Sequence, residues 1–443
     1  MKIKTEGGTM TAKGKSGLVS KLRFPEFRQA GDWEKKELCE VATIIRKKAG
    51  SNKYTLMSVT AGVGLISQLE KFGREIAGAQ YKNYLVIEHN DFAYNKSATK
   101  EYPEGFIGMY SGNEPGAVPN SIFTCFRVDT NAVVPKYLNY LFFLNLHGKW
   151  LKKFITVGAR AHGSLNIDDN DLLALPVPFP RGSNSITEQQ KIADCLSSLD
   201  ELIAAQAHKL DTLKAHKKGL MQQLFPAPGQ TTPTLRFPEF QDAGEWKAKN
   251  FGEVCKFVRG PFGGALKKDI FVKSGYAVYE QSHAIYQNFD SFRYFITEEK
   301  YKELKRFAVA ANDIIMSCSG TMGKFAIVPK DSKEGVINQA LLKLTVRRGF
   351  NIDFIKYTLE LPSSQEKLLS QSAGGAIKNV VGVTQLKEIE IDIPNPPEQQ
   401  KIADCLSSLD ELIAAQAHKL DILKAHKKGL MQQLFPNPDE AAE

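Results

Sequence analysis

The stretch that decides the architecture is EQQKIADCLSSLDELIAAQAHKLDTLKAHKKGLMQQLFP, which runs from Glu188 to Pro226. The chain spells it again from Glu398 to Pro436, and the second copy differs only in having Ile422 where the first has Thr212. A repeat of this length predicts two copies of one structural unit. We therefore expect a chain built from two matching halves.

Apolar residues in this stretch recur at alternating steps of four and three residues, the pattern of a coiled-coil seam. Gln206 and Lys217, with Gln416 and Lys427, are its polar positions. At 1.5 Å per residue each copy makes a helical rod of about 55 Å. Two such rods most simply pack on each other as an antiparallel or crossed pair. Two independent helices, each docked on its own domain, are the alternative. The helix–helix seam residues are Ile192, Leu196, Leu199, Ile203, Leu210, Leu213, Leu220 and Leu224 in the first copy, and Ile402, Leu406, Leu409, Ile413, Leu420, Leu423, Leu430 and Leu434 in the second.

The residues around the repeated stretch predict where each helix starts and stops. Thr187 with Gln190 fits a capping box before the first copy, and Asn395 with Pro396 offers a cap and a first-turn proline before the second. Leu-Phe-Pro ends both copies, because proline cannot continue a helix.

A second repeat opens each half. Leu22–Val41 reads LRFPEFRQAGDWEKKELCEV and Leu235–Val254 reads LRFPEFQDAGEWKAKNFGEV, with Trp33 matching Trp246. We interpret it as a packing element at the start of a domain. The expected order is a flexible tail (1–21), a globular domain (22–187), a long helix (188–226), a linker (227–234), a second globular domain (235–397), a second long helix (398–436) and a tail (437–443).

The regions between the repeats do not resemble each other in sequence, yet both predict mixed α and β structure. A helix is expected over 135–154 and another over 352–371, the latter interrupted at Pro362. We therefore expect an α+β fold with a pseudo-two-fold internal repeat. Strand-like runs, rich in β-branched and aromatic residues, are Tyr84–Ile87, Ile122–Val128, Ile314–Met316, Phe325–Val328 and Ala340–Val346.

Composition narrows the function class only slightly. The net charge of +9 is compatible with a nucleic-acid partner without proving one. The six cysteines form no CxxC pair, which is typical of reduced proteins. No apolar leader and no span-length apolar stretch occur, so we expect a soluble, cytoplasmic protein without a membrane partner.

Every motif that suggests catalysis, cofactor binding or metal binding lacks a residue or a spacing that this chemistry requires. Ser319-Gly-Thr-Met-Gly-Lys324 has two residues between its glycines where a P-loop has four. Asn395-Pro-Pro-Glu398 lacks the aromatic residue with which an amino-group DNA methyltransferase stacks on its base. The histidines of each long helix lie eight residues apart, which is not a same-face metal spacing. We therefore expect no enzyme activity, no cofactor and no metal.

What remains is a set of loops rich in side chains that grip phosphates and read base edges, although polar loops of this kind occur on many proteins. The candidate DNA-contacting residues are Arg46, Lys47, Asn95, Lys96, Ser97, Arg160 and His162 in the first region, and Tyr279, Gln281, His283, Gln287, Arg293, Ser319, Thr321, Lys324 and Lys378 in the second.

The two repeats, together with Leu175-Pro-Val-Pro178 and Ile393-Pro-Asn-Pro396 before the long helices, resemble the specificity (S) subunit of Type I restriction–modification enzymes. Asn90-Asp-Phe-Ala-Tyr-Asn-Lys-Ser97 and Asn312-Asp-Ile-Ile-Met-Ser-Cys-Ser-Gly320 are similar to strand-to-loop segments of its recognition domains. The resemblance covers nearly the whole chain, from about Leu22 to Pro436.

The resemblance implies that each variable region is a target recognition domain for one half of a bipartite, asymmetric site in double-stranded DNA. The long helices would pack as an antiparallel coiled-coil spacer and hold two methyltransferase (M) subunits, with restriction (R) subunits joining the full complex. The S subunit itself would not be catalytic. A stand-alone two-domain DNA-binding regulator or architectural protein remains the alternative.

Overall fold

The computed structural model describes residues 18–60, 63–75, 80–157, 165–261, 263–370 and 383–437. Its contacts divide the chain into two compact units, Met1–Gln206 with Lys419–Glu443 (unit 1) and Ala207–His418 (unit 2). Each unit therefore contains one variable region, the first part of one long helix and the last part of the other.

Unit 1 is built on two four-stranded sheets, in the orders β2-β9-β6-β7 and β4-β3-β8-β5, with small pairs β1-β12 and β10-β11. Its strands are β1 (Glu34–Glu37), β2 (Ala42–Ile44), β3 (Thr55–Thr60), β4 (Gly64–Ser67), β5 (Leu85–Ile87), β6 (Phe92–Asn95), β7 (Phe106–Met109), β8 (Gly116–Val118), β9 (Phe123–Val128), β10 (Thr156–Val157), β11 (Leu165–Asn166) and β12 (Pro176–Phe179). Its helices are α1 (Gln68–Phe72), α2 (Pro135–Phe143), α3 (Leu146–Leu151), α4 (Asp169–Leu173) and the start of the long helix α5 (Ser185–Leu224).

Unit 2 has a four-stranded sheet in the order β14-β20-β17-β18, a three-stranded sheet β16-β15-β19 and the pair β13-β21. Its strands are β13 (Lys247–Asn250), β14 (Cys255–Arg259), β15 (Tyr276–Tyr279), β16 (Phe295–Ile296), β17 (Ile314–Ser317), β18 (Phe325–Ile327), β19 (Gly335–Ile337), β20 (Leu341–Val346) and β21 (Glu390–Ile393). Its helices are α6 (Phe251–Val254), α7 (Gln281–Tyr286), α8 (Glu298–Glu303), α9 (Ile352–Glu360), α10 (Pro362–Ser370), α11 (Val383–Lys387) and the start of the long helix α12 (Pro396–Leu434).

The two variable regions share one sheet plan in spite of their different sequences. The sheets β2-β9-β6-β7 and β14-β20-β17-β18 are antiparallel throughout. In both units the second sheet contains one parallel pair, β3-β8 or β15-β19. Asn90 and Asn312, which lie two residues before β6 and β17, both adopt positive φ, at 71° and 68°. Asparagine tolerates this region of backbone space better than most residues, which explains the asparagine at both places.

The ends of the long helices complete the two cores. Phe435 packs in unit 1 with its ring 5.3 Å from that of Tyr137. Phe225 packs in unit 2, 5.3 Å from the ring of Phe354. Each core thus takes an aromatic residue from the helix whose start lies in the other half of the sequence.

The two long helices pack together, as Lys427 of α12 pairing with Asp200 of α5 illustrates in unit 1. The alternative of two independent helices is therefore wrong. Within each unit the start of one helix lies beside the end of the other, which is the antiparallel arrangement. All sixteen predicted seam residues are buried or half-buried.

The predicted strands are confirmed to within a residue or two. The break at Pro362 is also confirmed, since α9 ends at Glu360 and α10 begins at Pro362. The cap at Asn395 is also confirmed, because its Oδ1 accepts the Glu398 amide at 3.0 Å. The capping box at Thr187 is wrong. α5 already begins at Ser185, and the Gln190 side chain donates instead to Asp194, at 2.7 Å.

Candidate nucleic-acid interface and helix junctions

The candidate DNA contacts of unit 1 lie where β2 and β6 end. Arg46 and Lys47 are exposed just beyond β2, while Lys96 and Ser97 are half-exposed just beyond β6. Asn95 uses its Oδ1 to accept the Ser97 amide at 3.1 Å, which shapes the turn. Because β9 pairs with both β2 and β6, the two strand ends belong to one sheet.

Acidic side chains neutralise part of the positive charge beside this strand end. Lys47 donates to Glu88 at 3.0 Å, and this hydrogen bond raises the pKa of Lys47. Arg127 donates to Glu88 at 2.8 Å and to the buried Asp91 at 2.7 Å. Arg46, by contrast, has no hydrogen bond or ion pair within the described part of the chain.

In unit 2, helix α7 and the glycine turn Ser317–Lys324 bring several candidates together. Gln281 donates to the Thr321 carbonyl at 3.2 Å. Gly320 and Gly323 have φ of 60° and 70°, a region that favours glycine, so the turn exposes Ser319, Thr321 and Lys324. Gln287 and Lys324 line one cavity of about 390 Å³.

Two candidates in unit 2 prove to be core residues. Tyr279 is 1% exposed and donates to the Lys333 carbonyl at 2.6 Å, and burial raises its pKa to about 12. His283 is 3% exposed, and its two ring nitrogens lie within hydrogen-bonding distance of Glu280 and Ser291. As placed, neither side chain offers a surface to DNA.

Other candidates are exposed or lie outside the described residues. Arg293 is exposed, with its guanidinium 4.5 Å from the centre of the Tyr294 ring. Arg160, His162 and Lys378 lie outside the described residues.

Sequence reasoning missed Arg259, the last residue of β14. Its Nε and Nη1 are buried and have no hydrogen-bond partner among the described residues. A signal was present in the sequence. The repeat that ends in Val41 and Val254 continues as ATIIR and CKFVR, so that an arginine follows five residues later in both halves.

A bidentate ion pair ties each LRFPEF segment to the first turns of a long helix. Arg23 donates to both carboxylate oxygens of Glu188, at 2.7 Å each. Arg236 does the same to Glu398, at 2.7 and 2.8 Å. Both glutamates are 1% exposed, so these pairs hold buried charge.

The lysines of the predicted seam each pair with an aspartate and pack over a tyrosine. In unit 2, Lys217 donates to Asp410 at 2.6 Å and lies 4.8 Å from the ring centre of Tyr357, whose hydroxyl donates to the same aspartate at 2.7 Å. In unit 1, Lys427, Asp200 and Tyr140 repeat this arrangement. Each such Lys–Asp–Tyr triad joins both long helices to a helix of the variable region.

The described residues show no arrangement for metal binding and no membrane span. No group of three or more histidine, cysteine or acidic side chains there could hold a metal ion. No helix in those ranges is long and apolar enough to cross a membrane. All six cysteines are free thiols.

Comparison with known proteins agrees with the repeated architecture. The family model described as "Type I restriction modification DNA specificity domain" matches residues 30–215 and 243–425, once in each half. Because the two matches cover most of the sequence, the chain belongs to this family of DNA specificity subunits of Type I restriction–modification systems.

Specificity subunits of Methanocaldococcus jannaschii are among the relatives. The chain is 25% identical to the MjaX type I restriction enzyme specificity subunit over 424 residues, covering 91% of this chain and 93% of the relative. It is 30% identical to the MjaIX specificity subunit over 142 residues, covering 32% of this chain and 31% of that one.

Solved structures share the fold. The crystal structure of a Type I restriction–modification S subunit from M. genitalium matches with a TM-score of 0.57 at 15% identity, covering 95% of this chain and 100% of that one. A chain from a structure concerned with complex assembly and conformational transition of the type I R-M system matches with a TM-score of 0.55 at 16% identity, covering 93% and 97%.

Proposed function

We propose that each variable region reads one half of a bipartite, asymmetric DNA site. The observation that supports this most is the combination of a repeated frame with unlike loops. Both units build the same antiparallel sheet on near-identical helices, whereas the segments beyond β6 and β17 differ in length and composition. A constant frame with divergent loops suits two different half-sites.

The long helices serve as a spacer and as docking frames. Near-identical helices offer near-identical surfaces, so two copies of one methyltransferase subunit can bind one chain, one beside each half. The relatives named above are subunits of type I restriction enzymes, which supports assembly with M subunits and, in the full complex, with R subunits.

In this function the chain supplies recognition, and the chemistry belongs to its partners. It works in the cytoplasm on double-stranded DNA, without a cofactor or metal of its own. The loops around Arg46, Lys96, Gln281, Thr321 and Lys324 are the surface that we assign to DNA.

The test is to co-express the chain with its M subunit and to map methylated adenines across the host genome. A single bipartite motif with two unlike halves is the expected result. Replacing residues 22–187 by the corresponding region of another specificity subunit should change one half of the motif and leave the other half intact. A contiguous motif, or no methylation dependent on the chain, would overturn the proposal.

The alternative function is that of a stand-alone DNA-binding regulator or architectural protein, and the net charge of +9 is the one observation that favours it. Such a protein binds its site without partner subunits. Retention of the M subunit on the tagged, purified chain, together with chain-dependent methylation, would exclude it.

A further inference from the structure

Two arginines occupy the same place in the two units. Ile44 lies opposite Phe126 in the β2–β9 ladder, and Phe257 lies opposite Leu344 in the β14–β20 ladder. The β14–β20 ladder continues through Val258 to Arg259, which lies opposite Leu342. In unit 1 the Ile45 amide donates to the Cys125 carbonyl, and Arg46 is the next residue.

Each arginine lies at the sheet end from which a candidate DNA-contacting loop leaves. Ser317, the last residue of β17, pairs with Leu341, next to the partner of Arg259. The turn that begins there carries Ser319, Thr321 and Lys324. In unit 1, β6 ends in the same way opposite Phe123 of β9, and Lys96 and Ser97 follow.

Neither guanidinium has a carboxylate partner within the described part of the chain. Arg46 is exposed. Arg259 has two buried nitrogens without a hydrogen-bond acceptor. Its neighbour is Cys318: burial raises the pKa of that thiol to about 11, while the Arg259 charge and a side-chain hydrogen bond from Arg259 act against the rise. A thiol is only a weak acceptor.

The buried nitrogens of Arg259 are unfavourable unless an anion joins them, whereas the exposed Arg46 is free to bind one. Burying donors of a charged side chain without acceptors costs free energy. The planar guanidinium fork matches the oxygens of a phosphate. Nearby cations differ in this respect, since Lys47 and Arg127 already pair with Glu88.

We infer that Arg46 and Arg259 are phosphate anchors, one for each half-site, that hold the DNA backbone independently of sequence. Phosphate contacts fix orientation while base contacts specify. That division explains why an arginine recurs two residues after the matching ladder residues Ile44 and Phe257 while the loops around it differ. The inference rests on the proposed function, in which both units face DNA.

The experiment measures binding of the full chain, in complex with its M subunits, to two duplexes: one with the mapped target site and one without it. Arg259→Ala and Arg46→Ala are each expected to weaken binding to both duplexes by about tenfold. Each should also reduce the slope of log affinity against log salt by about 0.9, the value for one phosphate. Arg259→Lys, which keeps the charge and loses the fork, should fall between Ala and the native residue.

Arg348→Ala is the matched control. Arg348 is exposed and lies two residues beyond Val346, the opposite end of β20, which is about 13 Å along the strand from Leu342 at 3.3 Å per residue. It should leave affinity and salt slope unchanged. Arg46→Ala keeps the test decisive if the Arg259 variants fold poorly, because Arg46 is exposed.

Unchanged affinity and slope in Arg46→Ala would overturn the inference, and so would a change in the methylated motif, which marks a base-reading residue. Failure of the proposed function looks different. In that case the native chain directs no bipartite methylation, yet the two arginine variants still weaken its binding to duplex DNA and lower its salt slope.

Discussion

The buried pair of Arg236 and Glu398 offers the sharpest test of how the repeats hold unit 2 together. Glu398 is 1% exposed, and the side chain of Arg236 is 11% exposed. Trp246 adds a third hydrogen bond to the carboxylate, at 3.3 Å. Breaking a buried pair by removing one partner typically costs about 3–5 kcal/mol, since the other charge stays buried without compensation.

We expect Arg236→Met to destabilise unit 2 by about 4 kcal/mol, because the buried carboxylate keeps only Trp246 and its backbone neighbours. Glu398→Gln should cost about 2 kcal/mol, since Arg236 retains its hydrogen bond to the Gly244 carbonyl at 2.7 Å and reaches water more easily. The double variant buries no unpaired charge and should cost about 3 kcal/mol, well below the sum of the single changes.

The measurement is amide hydrogen exchange at increasing urea, followed by mass spectrometry on peptides from each unit. Peptides from the first turns of α12 and from β21 report on unit 2, and peptides from β12 serve as the internal reference in unit 1. Arg23→Met is the matched variant, with the expected loss confined to unit 1. Additive costs of the two single changes in unit 2, or a loss below about 1 kcal/mol for Arg236→Met, would refute the reasoning.

Three further predictions concern the helices, one histidine and the chain ends. Inserting one heptad into both long helices should lengthen the unread gap of the methylated motif, and an unchanged gap in the adenine map would contradict the spacer role. Burial lowers the pKa of His147 to about 4, so only the unfolded chain takes up its proton as the pH falls below about 6.5. Unit 1 should therefore lose about 2 kcal/mol from about pH 7.5 to about pH 5. Urea unfolding should show this loss in the native chain and not in His147→Gln; equal losses would exclude His147 as the cause. The Leu22 amide donates to the Gln433 carbonyl at 2.9 Å, just as the Leu235 amide donates to the Gln223 carbonyl. A circularly permuted chain, cut within 227–234 and with residue 443 linked to residue 1, should therefore keep its free energy of unfolding within about 1 kcal/mol. Loss of cooperative thermal unfolding in the permuted chain would contradict this prediction.

The sequence was sufficient to predict the elements with a strong period. The heptad steps of the long helices and the β-branched runs of the strands are local signals, and helix and strand bounds agree with them closely. The start of α5 was misplaced because Thr187 looks like a cap on its own. The helix gains three residues at its start, Ser185, Ile186 and Thr187.

The site was less predictable because its members meet only through tertiary structure. Tyr279 lies in β15, between β16 and β19, and a central strand buries both of its faces. No local pattern separates such a tyrosine from one that contacts DNA. Lys217 shows the reverse case. It interrupts the apolar pattern of the seam, and its partners Asp410 and Tyr357 lie far away in the sequence.

These contacts also explain how unlike domains can share one frame. A variable region meets the long helices through contacts that recur in both units, such as Tyr140 or Tyr357 on Asp200 or Asp410. The helices present the same residues both times, because the two copies are almost identical. A region therefore fits the frame if it supplies the tyrosine, an LRFPEF arginine for the helix glutamate and an apolar socket for the terminal phenylalanine. Its loops are then free to differ. The residues of a variable region that contact the long helices are therefore constrained, while the residues of its recognition surface vary independently.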